Sequence, residues 1–183
     1  PNTNFNSQQY GISLGGPIIK NKMSFIISGR RTYLDILGKP FIAYANKVSD
    51  EKINPRLFFY DLNTKLNYVF NDKHRLYLSA YSGADVFKFK FEDKYKSIES
   101  GLEWGNLISS LRWNYKINNR LFSNVNVTYS NYNLDIGSQF EEIDAFQTSK
   151  FSALYISGIK DYGLKWDLDW IPHPDHYIKF GIS

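Results

Sequence analysis

The sequence predicts an all-β fold, an antiparallel up-and-down transmembrane β-barrel, from three observations. Apolar and polar residues alternate with a period of two, tight polar turns alternate with longer connections, and aromatic residues are abundant. The 183 residues include 14 Phe, 14 Tyr and 4 Trp but a single Met. Aromatic side chains fit a pleated strand surface and lose rotamer freedom in a helix, so this composition favours strands.

In chain order, Met23 to Leu37 is expected as an irregular strand after a turn at Lys20-Asn21-Lys22. From Phe58 to Phe70 the even positions read Phe58, Tyr60, Leu62, Thr64, Leu66, Tyr68 and Phe70, against Phe59, Asp61, Asn63, Lys65, Asn67 and Val69 at odd ones. One face is apolar and the other polar. A second strand of irregular pattern is expected from His74 to about Phe91. Leu107, Leu111, Trp113, Tyr115 and Ile117 alternate with Asn106, Arg112, Asn114 and Lys116. Arg120 to Ile136 starts with Val125, Val127 and Tyr129 in odd phase and continues with Tyr132, Leu134 and Ile136 in even phase, which predicts a bulge near Ser130 and Asn131. Tyr162, Leu164, Trp166, Leu168 and Trp170 face away from Asp161, Lys165, Asp167 and Asp169 within a candidate strand from Phe151 to Ile171, and Tyr177 to Ser183 is the last strand. No helix is expected, because a 3.6-residue period is nowhere sustained.

Asn71-Asp72-Lys73, Ile117 to Arg120 and Pro172 to Asp175 read as tight turns, since Asn, Asp and Pro tolerate or pre-set the dihedrals required. Between them lie expected long connections at 38–55, 92–102 and 137–150. Short turns at one end and long loops at the other are the layout of an outer-membrane barrel. The leucine and tryptophan positions Leu62, Leu66, Leu111, Trp113, Leu164, Trp166 and Leu168 are therefore expected to face lipid.

Several function classes are excluded or disfavoured. There are no cysteines, so thiol catalysis and Cys-type zinc sites are absent. The longest apolar run, Phe41 to Ala45, is far short of the ~20 residues of a spanning helix. The charge of +4 is scattered, without a basic stripe for nucleic acid. His173 and His176 share a turn but lack further metal ligands, and Asp161, Asp167 and Asp169 alternate with Lys165 as a hydrated network would. No catalytic constellation, metal site or cofactor is expected. Ligand contacts are sought at Arg30 and Arg31, whose guanidinium groups suit carboxylates and phosphates. They are also sought at Tyr44 in the first long connection and at Trp104 and Tyr155, placed on the polar face near the outer end.

The segments Ser13-Leu14-Gly15-Gly16-Pro17-Ile18-Ile19-Lys20-Asn21-Lys22 and Ser24 to Tyr33 resemble the plug-to-barrel junction of TonB-dependent outer-membrane receptors of the Bacteroidota type. Phe59 to Asn67, Asp72 to Ser79, Trp104-Gly105-Asn106, Ser110 to Asn114, Gly158 to Tyr162 and Trp170 to His176 resemble the same family in order and spacing. The resemblance implies a 22-strand-class barrel with a plugged lumen, of which this chain supplies about eight strands. Residues 1–18 would be the end of the plug, its junction and the first strand, and residues 19–183 the N-terminal part of the barrel. It also implies partners: the lipid bilayer, the protein's own plug domain, the TonB complex reached through a missing N-terminal part, and a small extracellular ligand such as a siderophore, cofactor, glycan or peptide. The location implied is the cell outer membrane, as a multi-pass barrel. Two other classes fit the pattern: a soluble carbohydrate-binding β-sandwich, and a passive porin or adhesin barrel.

Overall fold

The structure, a computed structural model, describes residues 9–32, 34–144 and 147–183. Eight strands form a single antiparallel sheet in which each strand pairs with the next in sequence, β1 to β8. They are β1 (Gln9–Ile19), β2 (Met23–Thr32), β3 (Lys52–Val69), β4 (His74–Glu92), β5 (Lys96–Lys116), β6 (Leu121–Ile143), β7 (Thr148–His173) and β8 (His176–Ile182), with one helix, α1 (Leu34–Val48), between β2 and β3. The all-β, up-and-down expectation is met. Among the described residues no hydrophobic side chain is fully buried, and many large apolar ones are exposed. The sheet is one layer, and apart from α1 beside β3 nothing among the described residues covers either face. A β-sandwich would require a second sheet, and the described residues form only one.

The four tight turns lie where the sequence places them. Asn21 adopts the left-handed conformation (φ 61°) between β1 and β2, which Asn tolerates better than most residues. The Asn71 side-chain oxygen accepts from the backbone N–H groups of Lys73 (2.9 Å) and His74 (3.0 Å), and that of Asn118 accepts from Arg120 N–H (2.8 Å). These Asx turns reverse the chain before β4 and β6.

The opposite end departs from expectation. The expected long connections at 92–102 and 137–150 are mostly strand: β4 and β5 are joined by Asp93 to Tyr95, and β6 runs to Ile143. Cross-strand pairing continues unbroken from Lys96↔Glu142 to Lys116↔Phe122, so the alternation never stops and no loop is needed. The first connection holds α1, and β2 ends at Thr32 rather than Leu37. Pro40 lies inside this helix, where it removes a backbone donor and reads in sequence as a breaker. The helix has a local purpose. Beyond Thr32, β3 has no strand on its β2 side, and the Asn46 amide covers that edge, donating to Ile53 C=O and accepting from Ile53 N–H, each at 2.9 Å. Of residues 1–18, Gln9 onward form β1; the part of the expected plug junction at 1–8 lies outside the described residues.

Candidate membrane-facing band and lumenal face

Pairing register assigns every strand residue to one of two faces, called here the Leu66 face and the Lys65 face. On the Leu66 face, β3 carries Tyr60, Leu62, Thr64, Leu66 and Tyr68, and β5 carries Leu107, Ser109, Leu111, Trp113 and Tyr115. On the same face β7 carries Tyr162, Leu164, Trp166, Leu168 and Trp170. Each window is nine residues long, and none contains an outward charge. All seven expected lipid-facing residues fall inside these windows on this one face, and Leu62, Leu111, Trp113, Leu164 and Trp166 are exposed.

The windows drift steadily across the sheet. Tyr60 is linked by successive pairings through Ala84, Gly105 and Asn133 to Gly158, whereas the β7 window begins at Tyr162. The lower ends shift equally: Tyr68 is level with Trp166, and the β7 window ends at Trp170. Four residues over four strand steps is ~3.3 Å along the strand for each ~4.8 Å across it, a tilt of roughly 35°. Barrel closure demands a tilt of about 35–45°. Eight residue steps at that tilt make a band roughly 22 Å tall, close to the ~25 Å apolar belt of outer-membrane barrels.

Aromatic groups mark the turn-side rim. His74, Trp113 and Tyr115 stack in near-parallel planes, with His74–Tyr115 centroids 4.4 Å apart, and Trp113 Nε1–H donates to His74 Nδ1 at 3.3 Å. His74, at the start of β4, is thus part of the aromatic rim. Trp166 Nε1–H donates to Ser123 Oγ at 2.9 Å, which gives the indole its polar partner inside the apolar band.

Over the same height the Lys65 face is polar. Lys65, Tyr77, Arg112, Asn126, Lys165 and Asp167 line a hollow of about 440 Å³. Ser110 donates to Asn126 (2.7 Å), Asn124 to Asp169 (2.9 Å), and the Arg112 guanidinium lies 4.7 Å from the Tyr77 ring centroid. Asp167 pairs with Lys165 at 3.4 Å. These carboxylates are held by amides and cations, and among the described residues no group of three or more His, Asp or Glu is arranged to hold a metal.

Above the band the two faces exchange character. On the Lys65 face β4 now carries Phe87, Phe89 and Phe91, β5 Leu102 and Trp104, β6 Leu134 and Ile136, and β7 Tyr155; the Leu66 face carries Arg56, Lys88, Lys90, Glu99, Glu103 and Asp135, while β7 keeps Leu154 and Ile156 on it. The pairing through Ile108↔Ser130, Leu107↔Asn131 and Asn106↔Tyr132 is continuous. The phase slip in β6 is therefore this exchange, and the expected bulge at Ser130 and Asn131 does not exist. Trp104 and Tyr155 do share the Lys65 face near the upper end, where Trp104 lies between Asp85 and Leu134 and Tyr155 opposite Ile136, so their surroundings are more apolar than expected.

The other expected contacts are dispersed. Arg30 points to the Lys65 face and pairs with Asp61 of the wall at 2.7 Å. Arg31 points to the opposite face, its guanidinium 5.1 Å from the Phe58 ring centroid. Tyr44 is exposed on α1. Gln139 to Glu142 lie in β6, with Glu141 bonded to Lys150 (2.9 Å) and Glu142 to Lys96 (3.2 Å).

Among solved structures, the chain is similar to the ferric yersiniabactin uptake receptor FyuA from Yersinia pestis, with a TM-score of 0.50 and 8% identity over 91% of this chain. The fold is that of a β-barrel wall. The chain spans about a quarter of that receptor, 26% of its length. No protein-family model matches the sequence, and no curated protein matches it. No helix among the described residues is long and apolar enough to cross a membrane, which leaves crossing by strands open.

Proposed function

We propose that the chain is part of the barrel wall of a TonB-dependent outer-membrane transporter of the Bacteroidota type, which takes up a bulky, scarce nutrient with energy delivered by TonB. The observation that carries the reading is the nine-residue band, uncharged on β3, β5 and β7 and drifting by one residue per strand. A soluble protein has no reason to keep a belt of constant height clear of charge on an uncovered face, whereas hydrocarbon penalises every charge placed there. The Lys65 face then lines the lumen, where hydrated side chains meet the plug domain. Above the band its aromatic surface, with Trp104 and Tyr155, lines the outer vestibule; Arg30, on the same face, belongs to the lumenal wall.

The wall itself performs no chemistry in this reading. It supports a plug and presents apolar contacts to an extracellular ligand. Uptake of labelled iron chelates, cobalamin-like cofactors, glycans and peptides by cells with and without functional TonB tests the proposal. Loss of one substrate class both on deleting this protein and on removing TonB supports it. Uptake that depends on this protein but survives loss of TonB would make it a passive porin.

A further inference from the structure

Helix α1 stands where strands would otherwise continue. The Thr32 hydroxyl donates to Phe59 C=O at 3.3 Å, and the Asn46 amide closes the β3 edge at Ile53. The six strand residues between these points span ~20 Å, close to the ~18 Å rise of the helix from Leu34 to Asn46. α1 therefore runs up the β3 edge in line with β2, and among the described residues it packs on β3 alone. The edge N–H and C=O of Ile53 point along the sheet rather than out of it, so the helix that meets them lies within the wall. Its diameter of ~10 Å fills the width of two strands, and β1 and β2 both end beneath it, at the pair Gln9↔Thr32.

The apolar side of α1 faces away from the sheet. Ile42 and Asn46 face β3 and the cleft beside it. Phe41, Tyr44 and Val48, spaced i, i+3 and i+7, form a stripe on the opposite side, 79%, 73% and 73% exposed. A 15-residue helix with Gly38 and Pro40 inside it is marginal in water and depends on packing of its apolar face. Position narrows what packs there. Phe41 lies five helical residues, ~8 Å, below Asn46, and Ile53 lies seven strand residues, ~23 Å, beyond Tyr60. The stripe thus begins roughly 15 Å along the wall past the band's upper edge, beyond the reach of hydrocarbon. It looks along the wall, over the edge of β1 that no described strand pairs. A barrel must close on that edge, and the closing strand leaves the band beside the stripe. We propose that α1 is a seam element of the wall: its stripe receives the segment that continues upward from the strand closing the barrel on β1, through aliphatic or aromatic side chains of that segment. The inference rests on the barrel reading.

The test uses the full-length protein in intact cells. A membrane-impermeant maleimide is reacted with Val48→Cys and, as a reference, with Lys94→Cys in the β4–β5 connection. Photo-crosslinkers at position 44 and, separately, at position 12 of β1 identify neighbours by mass spectrometry. Position 48 should label at least tenfold more slowly than position 94. The crosslinker at 12 should join a strand of the same polypeptide beyond the eight described, and that at 44 the residues continuing this strand on its upper side. Labelling at 48 as fast as at 94 would overturn the seam. So would attachment of position 44 to a second copy, another protein, a lipid or an unrelated segment, while position 12 still joins its own polypeptide. Failure of position 12 to join its own polypeptide would instead overturn the barrel closure on which the seam rests.

Discussion

The side-chain amide of Asn46 makes both hydrogen bonds that a neighbouring strand would otherwise make to Ile53, at 2.9 Å each. Asn46→Ala leaves both backbone groups of Ile53 to water and should raise amide exchange there, consistent with a local loss of about 1–2 kcal/mol, while β5 to β7 are unaffected. Hydrogen-exchange mass spectrometry of the 50–58 segment reads this directly. Depth on the Leu66 face gives a second residue-level prediction. Leu111 lies at the centre of its window and Tyr60 at an upper edge, so Leu111→Arg should cost about 2–4 kcal/mol of folding stability in bilayers and Tyr60→Arg about 0–1. Equal costs at the two positions, measured by denaturant titration in liposomes, would refute a band of the stated height. That Leu62, Leu66, Leu111, Trp113, Leu164, Trp166 and Leu168 share one face was legible residue by residue, because a strand's period is two and one residue's phase fixes that of its neighbours. Tyr44 and Arg31 were not legible in this way, since Tyr44 lies on a helix and Arg31 is the penultimate residue of β2, where nothing in the pattern indicates what the next segment covers.

Among the elements, turns were the easiest to read and the upper ends of strands the hardest. Asn21, Asn71 and Asn118 act through their own side chains and backbone preferences, so a few residues determine each reversal. Asn21→Gly should therefore leave stability nearly unchanged or slightly improved, whereas Asn21→Val should cost roughly 1–2 kcal/mol, because a β-branched residue resists a positive φ; thermal unfolding of the two variants compares them. The upper strand ends read as loops in sequence for a physical reason. Alternation in sequence reports only the contrast between two faces, and when both environments change at one height the contrast reverses without any break in pairing. Phe87-Lys88-Phe89-Lys90-Phe91 alternates as cleanly as Leu62 to Leu66, with the apolar phase on the other face. In β6 the reversal mimicked a bulge, and only continuous register distinguishes the two. Helix α1 is not visible in the sequence pattern because Pro40, which lies inside it, reads as a breaker and because Phe41, Tyr44 and Val48 are exposed, so its apolar residues form no buried stripe.

At the scale of the whole molecule, one sheet with a belt uncharged on β3, β5 and β7, a tilt near 35° and a reversal of face above the belt fit the proposed wall, which would meet three environments: hydrocarbon outside, water and plug inside, and an aromatic vestibule at the outer end. β7, with 26 residues, crosses all of them. The most direct measurement is a spin-label scan along positions 150–170 of β7 in the full-length protein reconstituted in bilayers, comparing accessibility to oxygen, which concentrates in lipid, with accessibility to a water-soluble relaxation agent. The account predicts that even positions from 162 to 170 favour oxygen, that even positions from 150 to 160 favour the water-soluble agent, and that odd positions from 161 to 169 never favour oxygen. Even positions 162–170 that favour the water-soluble agent, or that are shielded from both, would contradict the barrel wall.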